Sequence, residues 1–216
     1  MSTDNQIATL SHDIYSGSPG FTTYFPEEGF GICCAILLSP IENIIIFRGT
    51  VPTEFQNWLQ DLLAYARPFP HSTFGPLHAG SFAGLPDMLA ELVPQLDLTL
   101  PTTIAGHSLG GQRATEATAI MLDEYQPDPT LLRLITFGAP AAGFQQLLTY
   151  LKDVKITAYR NAEGFYGDPV PLLPFDLPPV FAYRNPPFTH VTKSPGGLLD
   201  LDPVAWHNSE LYAQVV

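Results

Sequence analysis

A serine flanked by glycines is the part of the sequence that most directly indicates covalent chemistry. Gly106, Ser108 and Gly110 form the pattern G-x-S-x-G, which follows an apolar, β-rich run and precedes a helical one. A turn sharp enough to expose a serine hydroxyl at the end of a strand brings neighbouring backbones together, so the flanking positions must lack side chains. The next helix directs its free N–H groups at this place, where they would stabilise an oxyanion. The pattern therefore predicts a nucleophilic serine.

The elements that must position this serine alternate between strands and helices. Apolar, β-rich runs predict strands over 31–38, 43–47, 98–105, 132–137 and 154–159. Apolar residues at helical spacing predict helices over 6–15, 85–96 and 112–125. The turn sequence at 39–42 predicts an antiparallel hairpin, and the wholly apolar run at 44–47 predicts a strand covered on both faces. The predicted fold class is α/β, with a mostly parallel central sheet, an N-terminal antiparallel hairpin and helices on both faces.

Four sequence blocks, in their order and spacing, resemble the fungal-type or class 3 lipase family of α/β-hydrolases. They are Phe-Arg-Gly-Thr at 47–50, Asn-Trp-Leu-Gln-Asp-Leu at 57–62, Gly-His-Ser-Leu-Gly-Gly at 106–111 and Thr-Phe-Gly-Ala-Pro at 136–140. The first helix and a C-terminal His-x-x-x-x-Tyr extend the resemblance over nearly the whole chain. The resemblance implies a single α/β-hydrolase domain over 1–216. It also implies hydrolysis of acyl or lipid-type esters through a Ser-His-Asp triad and an acyl-enzyme, without a cofactor.

The resemblance makes Ser108 the nucleophile, and the chain order serine, acid, histidine selects its partners. Asp168 opens a segment similar to the family's Asp-x-Val-Pro-x-Leu-Pro and is the candidate acid, with Asp176 as the nearest competitor. Of the two later histidines, His207 precedes a short helical segment with a tyrosine five residues on, as in the family. His207 is therefore favoured over His190 as the catalytic base.

The resemblance places the oxyanion donors at Thr50 and at the backbone N–H of Leu109. A separate argument supports Thr50, because a hydroxyl residue directly after a buried strand lies at the same carboxyl edge of the sheet as Ser108. The alternative is an ordinary turn threonine.

Candidate substrate contacts form a third group, namely Val51, Phe55, His107, Pro171 and Leu172. His107 is also expected to pack as a hydrogen-bonded structural residue that points away from the serine hydroxyl. The segment 50–56 contains a proline and few large apolar residues, which leaves little room for an amphipathic lid helix. Small to medium acyl-ester or lipid substrates are therefore predicted, with at most transient contact with a lipid interface.

Two parts of the chain keep more than one interpretation. The segment 169–187 holds seven prolines and is either a rigid surface connection or an apolar wall of a cleft. His78 lies in a segment similar to the family's His-x-Gly-Phe, but Ser81 interrupts the match and leaves its role open. His12 and His71 are expected to face solvent.

Composition excludes several classes of function. Nine Lys and Arg against 21 Asp and Glu give a net charge of −12 without a basic cluster, so nucleic acid and anionic membranes are poor partners. The adjacent Cys33 and Cys34 point to opposite faces of a strand, which argues against a disulfide between them, and no zinc-ligand spacing occurs. Without a secretory signal or an apolar run of membrane-spanning length, the sequence predicts a soluble protein, cytoplasmic by default.

Two other functions use the same residues differently. An acyltransferase or thioesterase would share the triad and differ in the group that accepts or carries the acyl chain. A non-catalytic binding protein on this fold would normally lose a triad member, whereas all three candidates are present. The oligomeric state is not indicated by the sequence.

Overall fold

The structure is a computed structural model that describes residues 1–17, 20–28, 31–51, 68–163, 166–173, 183–191 and 203–216. The described strands, in chain order, are β1 (Thr23–Glu28), β2 (Ile32–Leu38), β3 (Asn43–Phe47), β4 (Pro68–Phe69), β5 (Leu77–His78), β6 (Thr102–His107), β7 (Leu132–Phe137), β8 (Gly143–Phe144), β9 (Lys155–Glu163), β10 (Tyr166–Gly167), β11 (Tyr183–Arg184) and β12 (Phe188–Val191). Strands β4, β5, β8 and β11 form a small sheet, and the others form a large one.

The α-helices of the described residues, in chain order, are α1 (Asp4–Asp13), α2 (Ala79–Phe82), α3 (Leu85–Leu92), α4 (Leu109–Ile120), α5 (Gln145–Tyr150), α6 (Pro203–Trp206) and α7 (Ser209–Val215). Short 3₁₀ turns continue α1 at Ile14–Ser16 and α3 at Val93–Gln95, and a π-helical turn continues α4 at Met121–Tyr125. Among the described residues, no helix is both long and apolar enough to cross a membrane.

The large sheet has the strand order β1-β2-β3-β6-β7-β9-β10, with β12 pairing with β9. Strands β1, β2 and β3 are antiparallel neighbours, whereas β3, β6, β7 and β9 pair in parallel. The predicted N-terminal hairpin and the mostly parallel centre are therefore confirmed. In this arrangement the carboxyl ends of β3 and β6 meet at one edge of the sheet, which is where sites on parallel sheets form.

Both faces of the large sheet are covered, as the apolar run at 44–47 predicts. Ile44 and Ile46 of β3 pack in a cluster with residues of α1 and α7, and Ile45 and Phe47 pack with residues of α3 and α4 on the other face. Cys33 packs in the cluster of Ile44 and Ile46, and Cys34 packs in the cluster of Ile45 and Phe47. Both thiols are buried, and neither forms a disulfide. Alternation along each strand accounts for this division.

Several predicted boundaries need correction. The helix predicted over 85–96 ends as an α-helix at Leu92, because Pro94 lacks the N–H that would continue it. The strand predicted over 98–105 runs from Thr102 to His107, the helix predicted over 112–125 begins at Leu109, and the strand predicted over 154–159 extends to Glu163. Strand β1 was not predicted at all, since Pro26 and an irregular register interrupt its pattern.

The start of the chain is fixed to the sheet by polar contacts. Thr3 and Gln6 form a capping box at the N-terminus of α1. Asp4 forms an ion pair with Arg133 of β7 and accepts a hydrogen bond from the Tyr159 hydroxyl of β9 at 2.6 Å. These bonds hold α1, and with it the 3₁₀ turn at its end, against the middle of the large sheet.

Candidate active site

Ser108 lies on a sharp turn between β6 and α4. Its backbone has φ 58° and ψ −132°, a left-handed φ that is uncommon for a residue other than glycine. Its N–H donates to the carbonyl oxygen of Phe137 at 2.9 Å. The hydroxyl oxygen is buried and makes no hydrogen bond within the described residues, which is common for a nucleophile before substrate binds.

The two glycines of the pattern allow this turn. A Cβ atom on Gly106 would lie 2.6 Å from the carbonyl oxygen of Phe47, and one on Gly110 would lie 2.7 Å from the carbonyl carbons of Phe47 and Arg48. Both distances are too short for any side chain. At Gly110 the crowding comes from the end of β3, and at Gly106 it comes from the Gly110 backbone as well, so the glycines are required because β3 and the start of α4 both lie close to the serine turn.

Asp168 and His207 are joined by a direct contact. The Nδ1 atom of His207 lies 2.7 Å from Oδ2 of Asp168, and both side chains are buried. Asp168 follows β10, and its other oxygen accepts a hydrogen bond from the Val170 N–H at 2.9 Å. The carboxylate can therefore orient the imidazole with Nδ1 protonated and Nε2 available to accept a proton.

Tyr212 is a part of the site that the sequence argument did not include. Its hydroxyl donates to Oδ2 of Asp168 at 2.6 Å and accepts from the backbone N–H of Asn161 at 3.0 Å. Burial, reinforced by the nearby Asp168 charge, raises the pKa of Tyr212 well above its usual value, so the hydroxyl keeps its proton. The signal was the tyrosine five residues after the histidine, because α7 places that residue back over the acid.

The Ser108 turn and the His207 segment are joined through His107. Nε2 of His107 lies 2.7 Å from the backbone oxygen of His207, and the two imidazole centroids are 4.6 Å apart. The other ring nitrogen of His107 lies 2.9 Å from the Tyr15 hydroxyl. With both nitrogens engaged inside the protein, His107 matches the expected structural role rather than a substrate contact.

The two oxyanion candidates lie on either side of the serine turn. The N–H of Leu109 is the first of α4, so it has no acceptor within its own helix. Thr50 follows Gly49, and a Cβ on Gly49 would lie 3.0 Å from Cβ of Ser108. The structure therefore brings the segment of Thr50 to the serine, as the position after β3 predicts.

Of the other candidate substrate contacts, Val51 is half-buried, Pro171 is buried and Leu172 is exposed. Phe55 lies outside the described residues, as do 52–56 of the segment considered for a lid. The competing acid Asp176 and residues 174–182 of the proline-rich segment lie outside them as well. The described ends of that segment form a 3₁₀ turn at Val170–Leu172 and the short strand β11.

The structure also gives the positions of the remaining histidines. His190 is in β12, where its backbone pairs with Arg160 of β9. His78 caps α2, and its Nδ1 accepts from the N–H of Ser81 at 3.3 Å, which gives the inserted serine a structural role. His12 contacts the Ser209 hydroxyl at 3.0 Å, His71 stacks on Phe74, and both side chains, which were expected to face solvent, are half-buried.

Across the described ranges, no group of three or more His, Cys, Asp and Glu side chains is arranged to hold a metal ion. The contact between His207 and Asp168 and the turn that carries Ser108 suit nucleophilic attack by the serine, with the histidine as the proton acceptor.

Comparison with known proteins places this geometry in a family. A secreted mono- and diacylglycerol lipase of Fusarium solani is 36% identical over 165 residues, which cover 74% of this chain and 46% of that lipase. This chain thus matches about half the length of that relative. Lipase II from Rhizopus niveus superposes with a TM-score of 0.69 at 20% identity, covering 88% of this chain and 82% of that one.

A third relative is a triacylglycerol lipase whose catalytic centre is described as a serine protease triad. It has a TM-score of 0.69 at 19% identity and covers 88% of this chain and 81% of its own. These superpositions confirm the α/β-hydrolase fold. The sequence profile of the family described as lipase (class 3) matches residues 44–177, more than half of the chain. The chain therefore belongs to the class 3 lipase family.

Proposed function

We propose that the protein hydrolyses carboxylic esters of the acyl or lipid type through an acyl-enzyme on Ser108. The observation that carries this proposal is the buried contact between His207 and Asp168, reinforced by donors from Tyr212 and Val170, beside a serine on a strained turn. A carboxylate surrounded by donors holds an imidazole in one tautomer, which a general base requires. Membership of the class 3 lipase family supports the same reaction.

The reaction follows from the positions of these groups. Nε2 of His207 accepts the Ser108 hydroxyl proton while the serine oxygen forms a bond to the ester carbonyl carbon. The carbonyl oxygen becomes an oxyanion that the Leu109 N–H and Thr50 stabilise. As the intermediate collapses, the bond to the alcohol oxygen breaks and His207 returns the proton to that oxygen. Water then attacks the acyl-serine in the same way and releases the acid.

The substrate class is proposed from the relatives and from the segment after β3. The Fusarium relative is named for mono- and diacylglycerols, and a solved relative is named for triacylglycerols. We infer small to medium acyl esters of this kind, because residues 50–56 offer few apolar groups for a covering lid. The Fusarium relative is also described as secreted, so it lends no support to the default cytoplasmic location.

A soluble p-nitrophenyl butyrate assay tests the proposed reaction. Ser108→Ala is expected to lower kcat by about 10⁴ to 10⁶, because removal of a triad nucleophile leaves only binding and oxyanion stabilisation. His207→Ala is expected to behave alike, and the matched variant His190→Ala is expected to keep most activity. Wild-type activity in Ser108→Ala would contradict the proposal.

Partitioning of the acyl group between water and an added alcohol separates hydrolysis from acyl transfer. We expect the free acid to be the main product at low alcohol concentration. Predominant transfer to the alcohol under those conditions would assign the same residues to an acyltransferase.

A further inference from the structure

A hydrogen-bonded pair, the partly buried Tyr15 and the buried His107, lies next to the serine turn and has no part in the proposed reaction. Tyr15 is in the 3₁₀ turn that follows α1, and its hydroxyl is 2.9 Å from Nδ1 of His107. Nε2 of His107 is 2.7 Å from the backbone oxygen of His207. The pair therefore spans from the first helix to the segment that carries the proposed base.

The direction of each bond follows from its partners. A carbonyl oxygen only accepts, so Nε2 of His107 carries the hydrogen that binds the His207 backbone. Nδ1 of the neutral ring must then accept, and the Tyr15 hydroxyl donates to it. Burial lowers the pKa of His107 well below 6.5 and raises the pKa of Tyr15, so both groups keep this protonation state.

The same hydroxyl also contacts the segment of the oxyanion candidate. The backbone of Gly49 comes close to the Tyr15 oxygen. A Cβ on Gly49 would collide with that oxygen and would lie 2.6 Å from the backbone oxygen of His107. Only glycine permits this approach, and Thr50 is the next residue. The Tyr15 hydroxyl thus contacts both Gly49, after β3, and His107, next to Ser108. Through His107 it is linked to the backbone of His207.

We propose that Tyr15, acting through His107, is a positioning residue that fixes the relative places of Thr50, Ser108 and His207. This inference rests on the proposed hydrolase function. These three residues come from parts of the sequence far apart, and a reaction among them needs hydrogen-bond distances to be held within a fraction of an ångström. The pair contacts Gly49 next to Thr50, includes His107 next to Ser108, and bonds to the backbone oxygen of His207.

Tyr15→Phe is the first test, because it removes the hydroxyl and keeps the ring. We expect kcat for p-nitrophenyl butyrate to fall about tenfold or more and KM to stay within about twofold, since misplacement affects the reacting geometry rather than binding. The matched control is Tyr159→Phe, which removes a hydroxyl bond to Asp4 that also holds α1. Its kcat is expected to remain at the wild-type value.

A double-mutant cycle with His107→Gln tests whether the two residues act together. The glutamine amide reaches the place of Nε2 and can still donate to the His207 backbone, but it offers nothing to Tyr15. Adding Tyr15→Phe to His107→Gln should therefore lower kcat by a smaller factor than Tyr15→Phe does on its own, whereas independent effects would multiply. In a plot of kcat/KM against pH, the decrease on the acid side should occur at the same pH in His107→Gln as in the wild type, because His107 is already neutral.

Wild-type kcat in Tyr15→Phe, equal losses in Tyr15→Phe and Tyr159→Phe, or multiplied effects in the cycle would each overturn the positioning role. If circular dichroism shows that Tyr15→Phe is unfolded at the assay temperature, His107→Gln alone tests the positioning role. A lower kcat at constant KM in His107→Gln would support that role, and a wild-type kcat would contradict it. Ser108→Ala keeps the two claims apart. Hydrolysis that depends on Ser108 but not on Tyr15 would refute only the positioning role.

Discussion

Two fully buried carboxyl groups, those of Asp168 and Glu116, differ in the number of donors around them. Asp168 accepts from Val170 on one oxygen, and from His207 and Tyr212 on the other. Glu116, in α4, accepts from the Ser81 hydroxyl at 2.7 Å on Oε1, while Oε2 makes no well-formed hydrogen bond within the described residues. The two groups belong to opposite faces of the large sheet.

The consequence for Glu116 is electrostatic. Burial raises the pKa of Glu116 well above 4.5, and the opposing contributions of Ser81, the Arg113 charge and the His78 backbone do not cancel it. Burial thus favours the protonated form of this carboxyl group. Burial by itself therefore does not identify a functional acid. The distinguishing feature is the set of hydrogen-bond donors that orient the carboxylate toward a histidine.

The largest expected effect comes from replacing Asp168, the carboxylate that accepts three hydrogen bonds. Asp168→Asn replaces an acceptor with an amide that can donate to Nδ1 of His207, which favours the wrong imidazole tautomer and should lower kcat by about 10⁴. Glu116→Gln is the matched control and should keep kcat within about twofold of wild type. The check is kcat for p-nitrophenyl butyrate at equal folded concentration. More than a tenth of wild-type activity in Asp168→Asn would contradict the distinction drawn between Asp168 and Glu116.

A smaller effect is expected from removing one donor. Tyr212→Phe leaves Asp168 with His207 and Val170 and should lower kcat by roughly tenfold at constant KM, because one hydrogen bond to a charged group is lost. Steady-state kinetics measure the separation of kcat from KM. A loss as large as that of Asp168→Asn would instead make Tyr212 indispensable, and no loss would remove it from the site.

The smallest effect concerns stability rather than activity. Because the pKa of Glu116 is raised by folding, the stability it contributes is fully present below pH 4.5 and decreases as the pH rises toward the folded-state value. Glu116→Gln cannot ionise, so its free energy of unfolding should exceed that of the wild type increasingly as the pH rises above 4.5 toward the folded-state pKa. Urea denaturation at several pH values measures this difference. If the difference in free energy of unfolding between Glu116→Gln and the wild type did not change with pH, folding would not raise the pKa of Glu116.

The sequence predicted those parts of the molecule that are encoded locally. Strands β3 and β7, the hairpin and the glycine requirement of the serine turn each follow from a few adjacent residues. Asp168 and His207 were chosen from chain order and family resemblance, and the structure places their side chains in contact.

The parts that were missed depend on distant contacts. Tyr15 meets His107 across 92 positions of sequence, and Tyr212 meets Asp168 across 44. No periodicity reports such pairs, because only the pairing of strands and the packing of α1 and α7 bring them together. Strand β1 was missed for a different reason, since it is an edge strand whose pattern is interrupted at Pro26.

Covalent labelling tests the central claim most directly. A serine-reactive fluorophosphonate, followed by peptide mapping, should modify Ser108 and no other serine, because we propose that His207, oriented by Asp168, activates this hydroxyl. The label should disappear in His207→Ala and persist in His190→Ala. A label on another serine such as Ser81, or an unmodified Ser108 in the folded protein, would contradict the account.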